Sequence, residues 1–176
     1  MVHPIEFAVA VLAEYTTLGA GKAENLEGSF VTILEANPQV TEVRVGYATG
    51  EFFAVVQLSG SEGSLRTAAG APPEAVYATR RIACGAGGAW MMTWSYIGAD
   101  RKAIGTRSAP VPEPGHQAES WYAAATAAPG TIIQTKASVI SGQRAIGMSF
   151  ARSFTGPSRG VIAAEISLAQ LSKVLI

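Results

Sequence analysis

The sequence has few of the residues that bind metals, form disulfides or carry out nucleophilic catalysis. It contains a single cysteine, Cys84, and two histidines, His3 and His116. One cysteine excludes an intramolecular disulfide and a thiolate zinc site. Only 15% of the residues are charged, and 13 basic residues balance 13 acidic ones. A zero balance argues against a nucleic-acid-binding module, which normally carries a basic surplus.

Long hydrophobic runs are also missing. The longest apolar run near the start, residues 7–13, is far shorter than the about 20 apolar residues that cross a bilayer. No basic stretch precedes it, so we do not expect a signal peptide. Apolar residues still make up 48% of the chain, and the mean hydropathy of +0.24 excludes wholesale disorder. We expect either a cytosolic protein or a soluble piece of a larger protein. Residues 171–176 are mostly apolar and predict a helix that is cut partway, which favours the second alternative.

The hydrophobic periodicity predicts an N-terminal helical layer over residues 4–37. The apolar residues at helical spacing are Phe7, Ala10, Val11 and Leu18 in a first helix and Leu26, Phe30, Ile33 and Leu34 in a second. The second helix must end before Asn37-Pro38, since proline disfavours helical backbone in the residue before it. From residue 40 the period changes from 3.6 to 2, which predicts half-buried strands at 43–47 and 52–58 joined by a turn at Thr49-Gly50.

Further strand candidates follow, separated by turn-forming residues. They cover residues 75–83, 89–97, 102–106, 131–139, 144–152 and 160–166. A helical stretch interrupts them at residues 117–127, and an exit helix at residues 167–176 closes the chain. This order predicts an α+β fold in which residues 40–166 form a largely antiparallel central sheet of about five or six strands with one crossover. We expect a single domain over residues 1–176.

Catalytic and metal-binding patterns have weak support. A Cys84–His116 dyad is possible by residue type, because histidine is the usual base beside a nucleophile, but an inert cysteine at a strand end is the favoured interpretation. Glycine-rich segments at residues 19–22, 60–63 and 85–88 do not have the spacing of a phosphate loop, a nucleophile elbow and a dinucleotide-binding turn, respectively. Two distant histidines and scattered carboxylates give no metal constellation. We therefore expect no enzyme activity, no metal and no cofactor.

Aromatic residues give a stronger signal. In the strand predicted over residues 89–97, alternation places four large side chains on one face: Trp90, Met92, Trp94 and Tyr96. This face either packs against the N-terminal helices or lines a small-molecule pocket, since such pockets are apolar with few polar groups. Trp121-Tyr122, in the later helix, has two similar interpretations: it covers a site, or it belongs to the core.

Several segments resemble a known family. Residues 120–125, Ser-Trp-Tyr-Ala-Ala-Ala, are similar to the Arg-Pro-Trp-Tyr-x-x-Ala helix of Cache modules. Residues 160–172 are similar to their closing Gly-Val-x-Gly-x-Asp-Ile-x-Leu-x-x-Leu-Ser strand and helix, and residues 35–52 and 71–77 resemble their first strands. Cache modules are PAS-like extracytoplasmic sensors of bacterial receptors. The most similar form is that of the input regions of adenylate or guanylate cyclases and some histidine kinases.

The resemblance implies a small-molecule sensor rather than an enzyme. Such a module lies outside the membrane, connected to membrane-spanning parts of its parent, and a bound ligand shifts an exit helix that here would begin at Ser167. Trp121 and Tyr122 match the ligand-binding pair of relatives, Glu165 stands at the position of an aspartate, and Glu119 stands where many relatives carry arginine. Arginine clamps an α-carboxylate with a bidentate fork that glutamate cannot supply. We therefore expect a cationic or neutral ligand, or none.

Glu165 also stands out by its neighbours. Val161 and Ala163, on the same face of the predicted strand, are apolar, so the carboxylate should be partly buried and should need a partner. That partner is either a structural cation, Lys136 or Arg152, or the ammonium of a ligand. The candidate site therefore comprises Trp94, Tyr96, Glu119, Trp121, Tyr122, Lys136 and Glu165.

Two other functions stay open. A ligand-free module would relay force through a homodimer contact along the amphipathic helix at residues 4–18. A small cytosolic hydrolase would use Cys84 or a serine. The resemblance instead implies a place on the periplasmic or extracellular side of the cytoplasmic membrane, within a transmembrane receptor and without a nucleic-acid partner.

Overall fold

The structure, a computed structural model, describes residues 3–16, 22–59, 64–140 and 145–174. The helices are α1 (His3–Tyr15), α2 (Ala23–Ala36), α3 (Ser64–Ala69), α4 (Ser120–Ala127) and α5 (Leu168–Val174). The strands are β1 (Val40–Tyr47), β2 (Phe52–Gln57), β3 (Tyr77–Cys84), β4 (Trp90–Ile97), β5 (Ala103–Pro110), β6 (Ile133–Gln134), β7 (Ser138–Val139), β8 (Ile146–Phe154) and β9 (Gly160–Ser167). A 3-10 turn, His116–Ala118, leads into α4. The predicted α+β class is confirmed.

All nine strands of the described residues belong to one antiparallel sheet. Its order is β5-β4-β3-β2-β1-β9-β8-β6, and β7 also pairs with β8. The predicted number of five or six strands was too low, because every candidate segment joins the same sheet and residues 131–139 divide into β6 and β7. Between those two short strands, the Ser149 N–H bonds to the Thr135 hydroxyl oxygen at 2.9 Å, so a side chain interrupts the backbone ladder.

The first two helices cover one face of the sheet, as expected of the predicted N-terminal helical layer. Their buried residues include Ile5, Val9 and Leu12 in α1 and Leu26, Phe30 and Leu34 in α2, and they pack on residues such as Val43 and Val45. The predicted apolar face of α1 was wrong in part, since Phe7 is 71% and Val11 49% exposed. Because α1 is apolar nearly all the way round, residue spacing alone cannot select its buried side.

The opposite face of the sheet is covered by α3 and α4. Trp94 and Tyr96 of β4 share a face, as predicted, but they pack with Leu65 and Ala69 of α3. They therefore do not pack against the N-terminal helices, which lie on the other side of the sheet. The Tyr96 hydroxyl donates to the Ala69 carbonyl at 2.6 Å and fixes the end of α3. The helix α3 was not predicted from the sequence, and it is this helix, not the N-terminal pair, that covers the aromatic face.

The two central strands are buried on both faces. β9 is buried along its whole length, and β1 has a single half-buried residue. The strand predicted at 43–47 is present, but the prediction that one of its sides faces water was wrong. Glu42, Arg44 and Gly46 are buried on that side. β9 ends at Ser167 and continues directly into α5. No helix among the described residues is long and apolar enough to cross a membrane.

Candidate functional site

The candidate site lies where the centre of the sheet meets α4, and Arg44 is its central residue. The guanidinium Nη1 of Arg44 lies 3.2 Å from a carboxylate oxygen of Glu42 and 3.2 Å from one of Glu165. Its Nη2 donates to the Ser149 hydroxyl at 2.7 Å. All four residues are less than a tenth exposed. A charged and polar cluster is thus buried between the sheet and α4.

The strand register explains why these residues meet. Glu42 of β1 is paired with Glu165 of β9, and Glu165 is paired with Ser149 of β8, so three polar side chains form one row across the sheet. Arg44 lies in the adjacent row, where its neighbours on β2, β9 and β8 are alanines: Ala54, Ala163 and Ala151. These small side chains leave space for the guanidinium to lie over the polar row.

Aromatic rings of α4 and its leading turn cover the cluster. The Trp121 ring lies over the Arg44 guanidinium, 4.7 Å from ring centroid to Cζ, which is a cation–π contact. The Trp121 indole N–H donates to Glu119 at 2.8 Å, and Glu119 itself is exposed just before α4. Tyr122 packs edge-on against Trp121 with ring centroids 5.6 Å apart. Trp121 and Tyr122 are 3% and 7% exposed, so the pair belongs to the buried core and covers the ionic cluster. That the pair covers a ligand site stays a prediction.

His116 completes this aromatic cover. A backbone carbonyl can only accept, so His116 Nε2 donates to the Tyr47 carbonyl at 3.1 Å. Burial lowers the pKa of His116, which keeps the ring neutral and leaves Nδ1 as a lone-pair acceptor. Among the described residues, Nδ1 has no hydrogen-bond partner. The ring and Trp121 lie directly over Gly46, where an added Cβ would be 2.7 Å from His116 Cδ2 and 2.9 Å from Trp121 Cη2.

A second cation extends the cluster along the sheet. Arg80 of β3 lies 3.6 Å from the Glu42 carboxylate. Its guanidinium stacks over Phe52 at 4.9 Å and over Trp94 at 5.7 Å from the ring centroids. Trp94 is therefore connected to the Arg44 cluster through Arg80.

Burial dominates the electrostatics of Glu165. Desolvation raises the pKa of its carboxyl and the nearby Glu42 carboxylate adds to this, while Arg44 and Arg80 act in the opposite direction. Glu165 therefore binds a proton more readily than an exposed glutamate does.

The structure brings together part of the predicted site. Four of the seven residues, namely Glu119, Trp121, Tyr122 and Glu165, lie at the α4 cluster, and Trp94 adjoins it. Tyr96 belongs to the packing of α3, and Lys136 is exposed between β6 and β7.

The partner of Glu165 was not the one the sequence suggested. Neither Lys136 nor Arg152 fills that role; the cation is Arg44, while Arg152 donates to Glu14 on the other face of the sheet. Glu42 and Arg80 were not predicted from the sequence, and His116 was considered only as a base beside Cys84. One signal was available, because opposite charges two residues apart, as in Glu42 and Arg44, lie on one face of a strand.

The weaker candidates of the sequence are not assembled into a reactive centre. Cys84 is exposed at the end of β3, with its thiol 3.6 Å from the Gly85 carbonyl, whereas His116 is buried under α4. The segment 60–63 lies outside the described residues, and so do residues 19–21 of the segment 19–22. No group of three or more histidine, cysteine, aspartate or glutamate residues in the described part of the chain could hold a metal ion.

Comparison with known proteins places the fold. No family model matches the sequence, and no curated protein matches it. Among solved structures, the extracellular domain of soHK1S-Z6, a protein described as a histidine kinase, matches 98% of this chain with a TM-score of 0.52 and 12% identity. The ligand-binding domain of the Campylobacter jejuni chemoreceptor Tlp3 in complex with L-valine matches 98% of the chain with a TM-score of 0.52 and 11% identity.

The match covers only part of each neighbour. The chain spans 55% of the soHK1S-Z6 structure and 52% of the Tlp3 structure. At these identities the likeness concerns the fold. The chain has the fold of extracellular sensory domains of histidine kinases and chemoreceptors, and the Cache-type fold predicted from the sequence is confirmed.

Proposed function

We propose that this chain is the ligand-sensing input domain of a membrane-bound signalling protein. The observation that carries the proposal is the continuity between the α4 cluster and the exit helix. Glu165 lies at the floor of the cluster on β9, and α5 begins three residues later at Leu168. A ligand that rearranges the contacts of Glu165 would therefore act on the strand that leads directly into α5.

The position of α4 supports this mechanism. Trp121 and Tyr122 are buried, so a ligand reaches Arg44 and Glu165 only when α4 moves away from the sheet. Binding would then select a position of α4 and of β9 that differs from the ligand-free one, as a sensor requires.

The neighbours support the class of function. The Tlp3 domain belongs to a chemoreceptor and has been solved with L-valine and with 4-methylisoleucine, and the soHK1S-Z6 domain is the extracellular domain of a protein described as a histidine kinase. By analogy, we place this chain on the periplasmic or extracellular side of the cytoplasmic membrane, as one domain over residues 1–176 without catalysis or a cofactor. Its parent would be a histidine kinase, a chemoreceptor or a cyclase, and contact with the membrane would come through other parts of that parent.

A thermal-shift screen tests the proposal. The purified chain is heated with amino acids, amines, carboxylates, purines and sugars. A ligand at a hundredfold excess over its Kd stabilises by about 2.7 kcal/mol. For a domain of this size that raises Tm by roughly 5–11 °C. Glu165→Gln, which keeps the shape of the side chain, and Trp121→Phe should reduce the shift, whereas Glu27→Gln, exposed on α2, should leave it unchanged. A screen without any shift, or full shifts in both site variants, would overturn the proposal.

A second candidate function is a ligand-free relay through a homodimer contact along the first helix. On α1, Phe7, Val11 and Tyr15 lie on one side of the helix and are 71%, 49% and 42% exposed. Together with α2 they line an apolar groove of about 670 Å³. A second copy of α1 would bury these side chains. Sedimentation equilibrium should then show association that Val11→Gln weakens, and a monomer at all accessible concentrations would exclude this relay.

A further inference from the structure

His116 is buried at the point where α4 meets the sheet. It is 5% exposed and lies in the 3-10 turn that leads directly into α4. The centroid of its ring lies 6.2 Å from that of Trp121, 5.2 Å from that of Tyr122 and 5.8 Å from that of Phe52. Three aromatic side chains, two of them on α4, thus separate the imidazole from water.

The hydrogen bonding of the imidazole suits its neutral form. Nε2 donates to the Tyr47 carbonyl at 3.1 Å, and Nδ1 has no hydrogen-bond partner among the described residues. A second proton on His116 would go to Nδ1, where it would create a buried N–H donor without an acceptor and a buried charge, and both are costly. Proton uptake is therefore more favourable when water can reach Nδ1.

Two cations already occupy aromatic rings that enclose His116. Arg44 stacks on Trp121, and Arg80 stacks on Phe52. The Nε of each guanidinium is buried and has no hydrogen-bond partner among the described residues. The site thus has N–H donors to spare, and a charged imidazole would be a third cation beside two like charges.

The remaining titratable groups do not offset this. Those that the surrounding elements carry at the site are Glu42, Glu119, Tyr122, Arg159 and Glu165. Both buried carboxylates are paired with Arg44. The carboxylate of Glu119 favours a charged imidazole, but it is exposed to solvent, which screens it. Burial raises the pKa of the Tyr122 phenol, which is therefore neutral, and Arg159 adds a positive charge.

We propose that His116 makes the α4 site respond to pH: the neutral imidazole is compatible with α4 lying on the sheet, and proton uptake at Nδ1 in mild acid favours the open position of α4. This inference rests on the proposed sensing function and adds a regulation of the same site. Burial holds the pKa of His116 below its ordinary 6.5, so the open form binds the proton more tightly than the closed form. A ligand that needs α4 to move would then bind more tightly in mild acid than at neutral pH.

Hydrogen exchange of residues 117–128 measures the opening of α4 without any ligand. Each rate is divided by the intrinsic rate at the same pH, and residues of α2 serve as the internal reference. His116→Gln removes the titrating ring but keeps an N–H that can donate to the Tyr47 carbonyl. We expect the opening constant of the wild type, relative to that of His116→Gln, to rise about threefold or more from about pH 7.5 to about pH 5.5. A single proton with an ordinary pKa of 6.5 limits this rise to about tenfold.

Two controls make the result specific to His116. Burial raises the pKa of Glu165, so a proton there favours the closed form, but this contribution is present in both proteins and cancels in their ratio. The other histidine of the chain, His3, belongs to α1 on the opposite face of the sheet. His3→Gln removes the same titrating group and should leave the pH dependence of α4 exchange unchanged.

A second measurement covers the case in which circular dichroism shows that His116→Gln does not fold. In the wild type with labelled histidine, the His116 ring signals are assigned as those that persist in His3→Gln. They should then titrate below pH 6.5. A rise in the opening ratio smaller than about threefold, a similar change caused by His3→Gln, or titration of His116 at or above pH 6.5 would overturn the inference.

The outcomes distinguish this regulation from the sensing function. If exchange shows no opening linked to His116 while the thermal-shift screen finds a ligand, the pH response is wrong and the sensing function stands. If exchange shows this opening while the screen finds no ligand, α4 responds to pH and small-molecule sensing falls.

Discussion

Replacing Arg44 with methionine should destabilise the protein by about 3–5 kcal/mol. Arg44 is 8% exposed, and its Nη1 lies 3.2 Å from carboxylate oxygens of both Glu42 and Glu165. Methionine is apolar and of similar length, so it fills the space but leaves two buried carboxylates without their cation. The cost is the desolvation of those charges, which Arg44 offsets in the native protein. In a domain of this size each kcal/mol lowers Tm by roughly 2–4 °C, so Tm should fall by about 6–20 °C.

Two further variants make this prediction specific to the buried cluster. Arg152→Met breaks an ion pair with Glu14 whose side chains are 21% and 64% exposed. It should cost at most about 1 kcal/mol, because solvent screens such a pair. Adding Glu42→Gln and Glu165→Gln to Arg44→Met should restore most of the lost stability, since neutral amides carry no uncompensated charge. Urea unfolding followed by circular dichroism measures all three. The reasoning fails if Arg44→Met costs no more than Arg152→Met, or if the triple variant recovers nothing.

Three other variants probe proton binding and close packing at the same site. Burial raises the Glu165 pKa above 4.5, so the stability from its protonated carboxyl is complete below pH 4.5 and is lost as pH rises through the raised pKa. Urea unfolding between about pH 4 and pH 7 should show this decline in the free energy of unfolding, and the decline should be smaller in Glu165→Gln. The same pH dependence in both proteins would refute the assignment of the decline to Glu165. Gly46→Ala should cost about 1–3 kcal/mol in thermal unfolding, because its Cβ meets His116 and Trp121. Gly28→Ala, in open space on α2, should stabilise by about 0.5–1 kcal/mol, and a similar loss in both variants would contradict the packing argument.

The elements that the sequence predicted well depend on local signals. Leu26, Phe30 and Leu34 repeat at helical spacing and are all buried in α2, and Asn37-Pro38 ends that helix. The hairpin from β1 to β2 follows from alternation together with Gly50, whose φ of +96° suits glycine. Each of these features is decided by residues close together in the chain.

The ionic cluster depends on pairing between distant segments, which the sequence does not show. Glu42 and Arg44 alternate with buried valines, a pattern that predicts a solvent-facing side for β1. That side is buried because α4 covers it, and Glu165 meets Arg44 only through the β1–β9 register, 121 residues apart in the chain. The family resemblance pointed to Trp121, Tyr122 and Glu165. It did not identify Arg44, the residue of this chain that pairs with Glu165.

The two faces of the sheet differ in a way that fits a sensing role. α1 and α2 lie on an apolar core, whereas α4 has eight residues and lies over a buried ionic floor. Replacing a buried ion pair with well-packed apolar residues is often neutral or stabilising, so the cluster gives α4 less net stability than an apolar contact would. Segments with fewer apolar contacts open at lower free energy than the rest of a domain. We therefore expect α4 to open before α1 or α2, and its opening frees Glu165 on the strand that continues into α5.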